Sequence, residues 1–199
     1  MNAIDHKIVY GSYDVSEKPR SLNTLFQNLS CDGLSPQYAT IDGNPALTLA
    51  LRRQWPQIVL QRCVVHVQRQ GLSWCRRNPK RTDARHLRKI FLGVTTIQSA
   101  HDREKFLKQF HAWERTYGAG IATTPEHGYV FSDLKRARNM LLTALPNMFH
   151  YLNHPVIANS TNALEGYFSR LKHRYRQHRG LAARHRYKYF QWYLSLSPR

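Results

Sequence analysis

Two acidic residues stand where a carboxylate could do chemistry on a phosphate. Asp42 lies in Thr40-Ile-Asp-Gly-Asn44, where the chain leaves a strand-like stretch. Ligand and metal sites in open α/β sheets collect at the carboxyl ends of strands, so a side chain there can face a crevice. An Asp-Gly pair is equally the signature of an ordinary turn. Glu165 lies in Asn159-Ser-Thr-Asn-Ala-Leu-Glu-Gly-Tyr-Phe-Ser-Arg-Leu-Lys172. On a helix it borders the apolar row through Leu164, and Ser169, Lys172 and Arg176 share its side. A carboxylate followed by basic groups suits a metal ion beside a phosphate. The plainer reading is a solvated helix face.

Past Glu165 the chain carries no further acid. Arg170, Lys172, Arg174, Arg176, Arg179, Arg184, Arg186 and Lys188 follow, interleaved with Tyr167, Tyr175, Tyr187 and Tyr189. One-signed charge mixed with aromatics fits contacts to a nucleic-acid backbone with base stacking. The alternative is a basic helix pair whose tyrosines form its core. Cys63 and His66 make a Cys-x-x-His. Zinc wants four ligands, and no second pair at suitable spacing is present. A packed thiol and a hydrogen-bonded imidazole near a site is the competing reading.

The whole chain shares the bias of its tail. In 199 residues there are 30 Lys and Arg against 12 Asp and Glu, a formal net charge of +18. Such a surface repels itself unless it meets a polyanion. Nucleic acid is the usual one, because each neutralised phosphate releases counterions; an anionic membrane or a ribosomal surface is the alternative. No apolar run is long enough to span a bilayer, and Met1–Lys7 has no apolar core of a leader peptide. An odd set of three cysteines argues against a stapled secreted scaffold. The expectation is a soluble intracellular protein. Glycine-rich phosphate loops, nucleophile elbows and His-Glu-x-x-His are absent from the sequence.

The elements that must hold these residues can be read from period and punctuation. Strands are predicted at Ile8–Tyr13, Gln37–Ile41 and Ile58–Leu60. A short helix is predicted over Ser21–Leu29, and another begins at Asn44-Pro45 and runs to about Gln54. From Val64 to Leu152 the chain reads as almost wholly helical. Ser99 and Asp102 form a capping box. Phe106, Phe110 and Trp113 make one stripe, and Tyr117-Gly118 ends that helix. Thr123–Gly128 reads as a loop, and a helix over Asp133–Ala144 follows. Asn159 or Ser160 caps a helix to about Gln177, with Leu164, Phe168, Leu171 and Tyr175 as its apolar stripe. Gly180 separates it from a last helix, about Ala182 to Leu194. The order is that of an α/β core interrupted by an all-helical insertion.

Three blocks in this order resemble bacterial insertion-sequence transposases of the Mutator-like superfamily, which are carboxylate-triad enzymes. They are Thr40–Asn44, then Trp55-Pro56 with Gln61-Arg-Cys-Val-Val-His66, then Asn159–Lys172 continued by Arg176-Gln-His-Arg-Gly-Leu181. The resemblance implies a ribonuclease-H-like core in residues 1–66, a helical insertion in 67–155, and core helices with the basic tail in 156–199. It implies that Asp42 and Glu165 are the second and third carboxylates, that Mg2+ or Mn2+ is the cofactor, and that Cys63 and His66 lie near the site. It further implies metal-dependent DNA cleavage and strand transfer, with transposon ends and target DNA as partners. A homo-oligomeric active complex in the bacterial cytoplasm, associated with the nucleoid and not with a membrane, goes with that reading. In the family's order a strand ending in the first Asp precedes two more strands and a helix. Here Asp5, Asp14 and Glu17 are the only acids near the N-terminus, and none ends a strand. The sheet is therefore expected to be partial, its first strands missing, in an N-terminally truncated copy. A non-catalytic DNA-binding remnant and a basic RNA-associated protein are the two other readings.

Overall fold

In a computed structural model, residues 1–5, 8–11, 18–123, 129–178 and 180–196 are described, with backbone alone at 129–132 and 183. These residues form an α/β protein that is mostly helical. Two strands, β1 (Tyr38–Ile41) and β2 (Val59–Arg62), pair as a two-stranded sheet. The Val59 N–H donates to Gln37 O at 2.9 Å and the Cys63 N–H to Ile41 O at 2.8 Å. Both bonds join residues at the same offset, which is a parallel register.

The chain divides into two compact units, described in turn. The first comprises Met1–Ala39, Asn44–Val59 and Thr161–Arg199. Its helix α1 (Pro19–Cys31) starts with Pro in the first turn, where a missing N–H costs nothing. Helix α2 (Pro45–Gln54) is capped by the Asn44 side chain, which accepts from the Ala46 and Leu47 N–H groups at 2.9 and 3.3 Å. α1 buries Leu22 and Leu29, and α2 buries Ala50 and Leu51. Phe26 meets Trp55 with ring centroids 5.5 Å apart. Helices α8 (Asn162–Gln177) and α9 (Ala183–Leu196) pack through a ladder of aromatic rings. Tyr167 meets Tyr193 at 5.9 Å, Tyr175 meets Phe190 at 5.2 Å and His178 meets Tyr189 at 5.1 Å.

The strand expected at Ile8–Tyr13 is not formed in its described part. Residues 8–11 take no regular secondary structure, and residues 12 and 13 lie outside the described residues. The Gly11 backbone instead runs so close to Leu194 of α9 that a Cβ there would stand 2.8 Å from the Leu194 Cδ1. β-propensity fits a side chain to a pleated surface but does not supply the neighbouring strand.

The second unit comprises Thr40–Gly43 and Leu60–Ser160. It is held by one large apolar core contributed by α3 (Val64–Cys75), α4 (Thr82–Leu92), α5 (Ala100–Trp113) and α7 (Tyr129–Ala144). Phe91, Phe110, Leu87, Leu134, Leu141 and Met148 are its largest fully buried side chains. The Phe91 ring lies on Gly71 of α3, where a Cβ would overlap it. The Ser99–Asp102 capping box is formed: Ser99 Oγ accepts from the Asp102 N–H at 3.1 Å, and the carboxylate accepts the Ser99 N–H at 3.0 Å. Phe106, Phe110 and Trp113 are all buried, and the Trp113 indole donates to Asp83 O at 2.9 Å.

Tyr117-Gly118 does not end this helix. The chain continues through a π-helical stretch, Glu114–Gly118, into α6 (Ala119–Thr123). Gly118 serves by having no side chain, not by adopting a left-handed cap: the Glu114 carboxylate fills the space a Cβ would take. Arg138 holds that carboxylate with Nε and Nη2, Nε lying 2.9 Å from each oxygen. Residues 124–128, within the predicted loop, lie outside the described residues.

Candidate functional site

Asp42 is exposed and immediately follows β1, whose last residue, Ile41, is buried. The next residue, Gly43, has φ +95, a left-handed conformation that only Gly adopts without strain. Beside this strand end, β2 supplies Gln61 and Arg62, and Cys63 follows it.

Gln61 is fully buried and satisfied. Its Nε2 donates to Arg62 O and to Met148 O, each at 2.7 Å, and its Oε1 accepts the Tyr151 N–H at 3.3 Å. Cys63 is fully buried and caps the start of α3. His66 follows in the first turn of α3 and is half-buried. Arg62 turns its guanidinium onto Gly43, occupying the place of a Cβ there. Its Nη1 is buried without a hydrogen-bond partner among the described residues. Burial pulls the guanidinium below its ordinary pKa, and the charge of Asp42 opposes that fall. Gln61 and Arg62 lie in the second sequence block, with no role expected of either. A buried amide and a cation on successive residues of a short strand were the available signal.

The third sequence block arrives at the same place. Thr40 Oγ1 donates to Ala158 O at 2.6 Å, and the Val64 N–H donates to Asn159 O at 3.0 Å. Thr40, Val64 and Asn159 come from the three separate blocks, and the backbone from 158 to 159 joins them.

In the first unit, Glu165 sits half-buried in the first turn of α8. A carboxylate there is favoured by the helix dipole. The cap residue is Thr161, not Asn159 or Ser160. The Glu165 N–H donates to Thr161 O, and Thr161 Oγ1 donates to Glu165 Oε1, both at 2.9 Å. The Asn159 carbonyl instead accepts the Val64 N–H. The predicted apolar stripe of α8 is also shifted. Tyr167 and Leu171 are buried and Phe168 is 43% exposed, because α9 covers the face through Tyr167.

Arg170, Lys172, Arg174 and Arg176 on α8 are exposed, as are Arg184, Arg186 and Lys188 on α9. Arg179, like Asp14 and Glu17, lies outside the described residues. Tyr167, Tyr175 and Tyr189 belong to the ring ladder, so the core reading holds for them, whereas Tyr187 is 47% exposed. Arg174 lies over the Tyr193 ring, 5.8 Å from its centroid.

Among the described residues, no group of three or more His, Cys, Asp and Glu side chains gathers as a metal cage. Carboxylate oxygens are the donors magnesium and manganese take, but the donor number falls short of a triad.

Residues 6–183 match the family described as transposase, Mutator family. The chain belongs to this transposase family. No curated protein and no solved structure matches it. The three motif blocks lie inside the span matched to the Mutator family. No helix among the described residues is long and apolar enough to cross a membrane.

Proposed function

We propose that this Mutator-family chain is the DNA-handling core of a transposase that cuts and joins DNA strands. In this reading its fold is the ribonuclease-H-like core, residues 67–155 are the helical insertion, and Asp42 and Glu165 supply two carboxylates of one site for Mg2+ or Mn2+. The reading is carried by the convergence of the three sequence blocks on the hydrogen bonds of Thr40 and Val64 to the 158–159 backbone. Asp42 follows the first of these anchors by two residues, and Glu165 follows the last by a short tether ending in α8. A divalent cation held by these oxygens would neutralise charge on a phosphodiester. The exposed arginines and lysines of α8 and α9 would bind the DNA backbone and fix its register.

Manganese titration followed by water-proton relaxation tests the shared site. Asp42→Asn and Glu165→Gln should each weaken binding, and the double variant should be little worse than either. Weakening by one substitution only, or additive losses, would separate the two carboxylates into different sites. Incubation with terminal-repeat DNA then divides cutting from binding alone.

A further inference from the structure

Arg62 is a partly buried cation on the strand beside Asp42, and the proposed chemistry does not use it. Three observations define it. Its guanidinium lies on the backbone of Gly43, where no side chain leaves room for it. Its Nη1 is buried and has no hydrogen-bond partner among the described residues. The Asp42 charge acts on it across the turn, against the desolvation that destabilises the cation. Strand register sets the arrangement, because the bond from the Cys63 N–H to Ile41 O ties the end of β2 to the end of β1.

A guanidinium is not buried with an unused donor unless a negative charge nearby compensates the lost hydration. A hydrogen bond from Nη1 would have been the cheaper solution. The local structure instead places the cation against a glycine next to an exposed carboxylate. That is where the charge of a metal ion would act.

We propose that Arg62 is a built-in cation that takes the electrostatic place of a divalent metal at Asp42 and weakens metal loading until it is displaced. The inference rests on the reading of Asp42 as a metal ligand. Two cations sharing one carboxylate repel each other, so removal of the guanidinium should tighten the metal. A residue that merely supported the turn would have the opposite effect, since its loss would disorder the ligand.

The test has a metal-free and a metal-bound arm, both on the full chain. In chelator, thermal melts of the wild type, Asp42→Asn, Arg62→Gln and the double variant form a cycle. Asp42→Asn should lower the Tm by about 2–4 °C in the wild type and by much less in the Arg62→Gln background. An equal drop in both backgrounds would show that the two charges are uncoupled and would overturn the proposal. In the second arm, Arg62→Gln should bind manganese about fivefold more tightly, and Arg62→Lys, which keeps the charge, should stay near the wild type. Binding that Asp42→Asn weakens and Arg62→Gln leaves unchanged or weakens would defeat the competition while sparing Asp42 as a ligand. Binding insensitive to Asp42→Asn would remove the ligand reading itself, and the competition with it.

Discussion

Replacing Gln61 with Leu removes a single amide and should cost the helical unit about 3 kcal/mol. In the wild type that amide donates to Met148 O and Arg62 O at 2.7 Å each and accepts the Tyr151 N–H at 3.3 Å. Gln61 and Met148 are both fully buried, so water cannot replace the lost partners. Each orphaned buried group costs roughly 1–3 kcal/mol. The Met148 carbonyl and the Tyr151 amide together give about 2–6 kcal/mol, and the better transfer of a leucine side chain offsets part of it, on the order of 1–2 kcal/mol. Urea unfolding followed by far-UV circular dichroism reads the difference. With a slope of about 2 kcal/mol/M, the midpoint should fall by roughly 1.5 M. Gln177→Leu is the control: that amide is exposed and lies 3.4 Å from the His173 ring. Gln61→Glu adds a sign. A carboxylate facing two carbonyls has no proton to give at neutral pH, and burial raises its pKa. That variant should therefore regain stability relative to the wild type as the pH falls toward 5. A midpoint shift below about 0.5 M for Gln61→Leu would mean that the amide is not the clamp between β2 and the 148–151 segment.

Gly43→Ala places a methyl group in a left-handed residue and against the Arg62 guanidinium. The backbone alone costs about 1–2 kcal/mol, so differential scanning calorimetry should show a Tm lower by roughly 5 °C. Changing Arg174, Arg176 and Arg179 together to Ala should flatten the dependence of log K for DNA on log salt by about 2–3 units; an unaltered slope in fluorescence anisotropy titrations would take them off the DNA. Burial pushes the Cys75 thiol up to about 12 from its ordinary 9.0. A thiol with its pKa raised by folding contributes stability below pH 9.0 that is lost as the pH climbs through about 12. Melting temperatures should accordingly fall across that alkaline range, and less steeply in Cys75→Ala. At pH 8 a thiol reagent should modify exposed Cys31 fast, and buried Cys63 and Cys75 only on unfolding.

Much of the scaffold was legible because it is written in local rules. Asn44-Pro45 caps and starts α2, Ser99 and Asp102 close a box on α5, and the Phe106–Phe110–Trp113 spacing makes one buried stripe; each depends on neighbours within a turn or two. The errors fall where a distant neighbour overrules the local signal. Gly118 looks like a stop, but the Arg138-held carboxylate of Glu114 gives it a packing role and the helix continues. Phe168 is as apolar as Tyr167, yet α9 covers only the face through Tyr167. Residues 8–10 are strand-like in type, yet residues 8–11 join no ladder, and it is the Gly11 backbone that lies against Leu194.

The family blocks, the basic tail and the candidate carboxylates could be read from the chain alone. That is so because composition, capping and motif spacing are properties of short stretches of chain. Only the tertiary structure decided that Thr40, Val64 and Asn159 meet, that Gln61 locks β2 to residues 148–151, and that Arg62 stands over Gly43. Those contacts join residues up to more than a hundred positions apart. Which of many possible distant partners a carbonyl or a cation finds is fixed by how the whole core packs, not by the residues beside it in the chain.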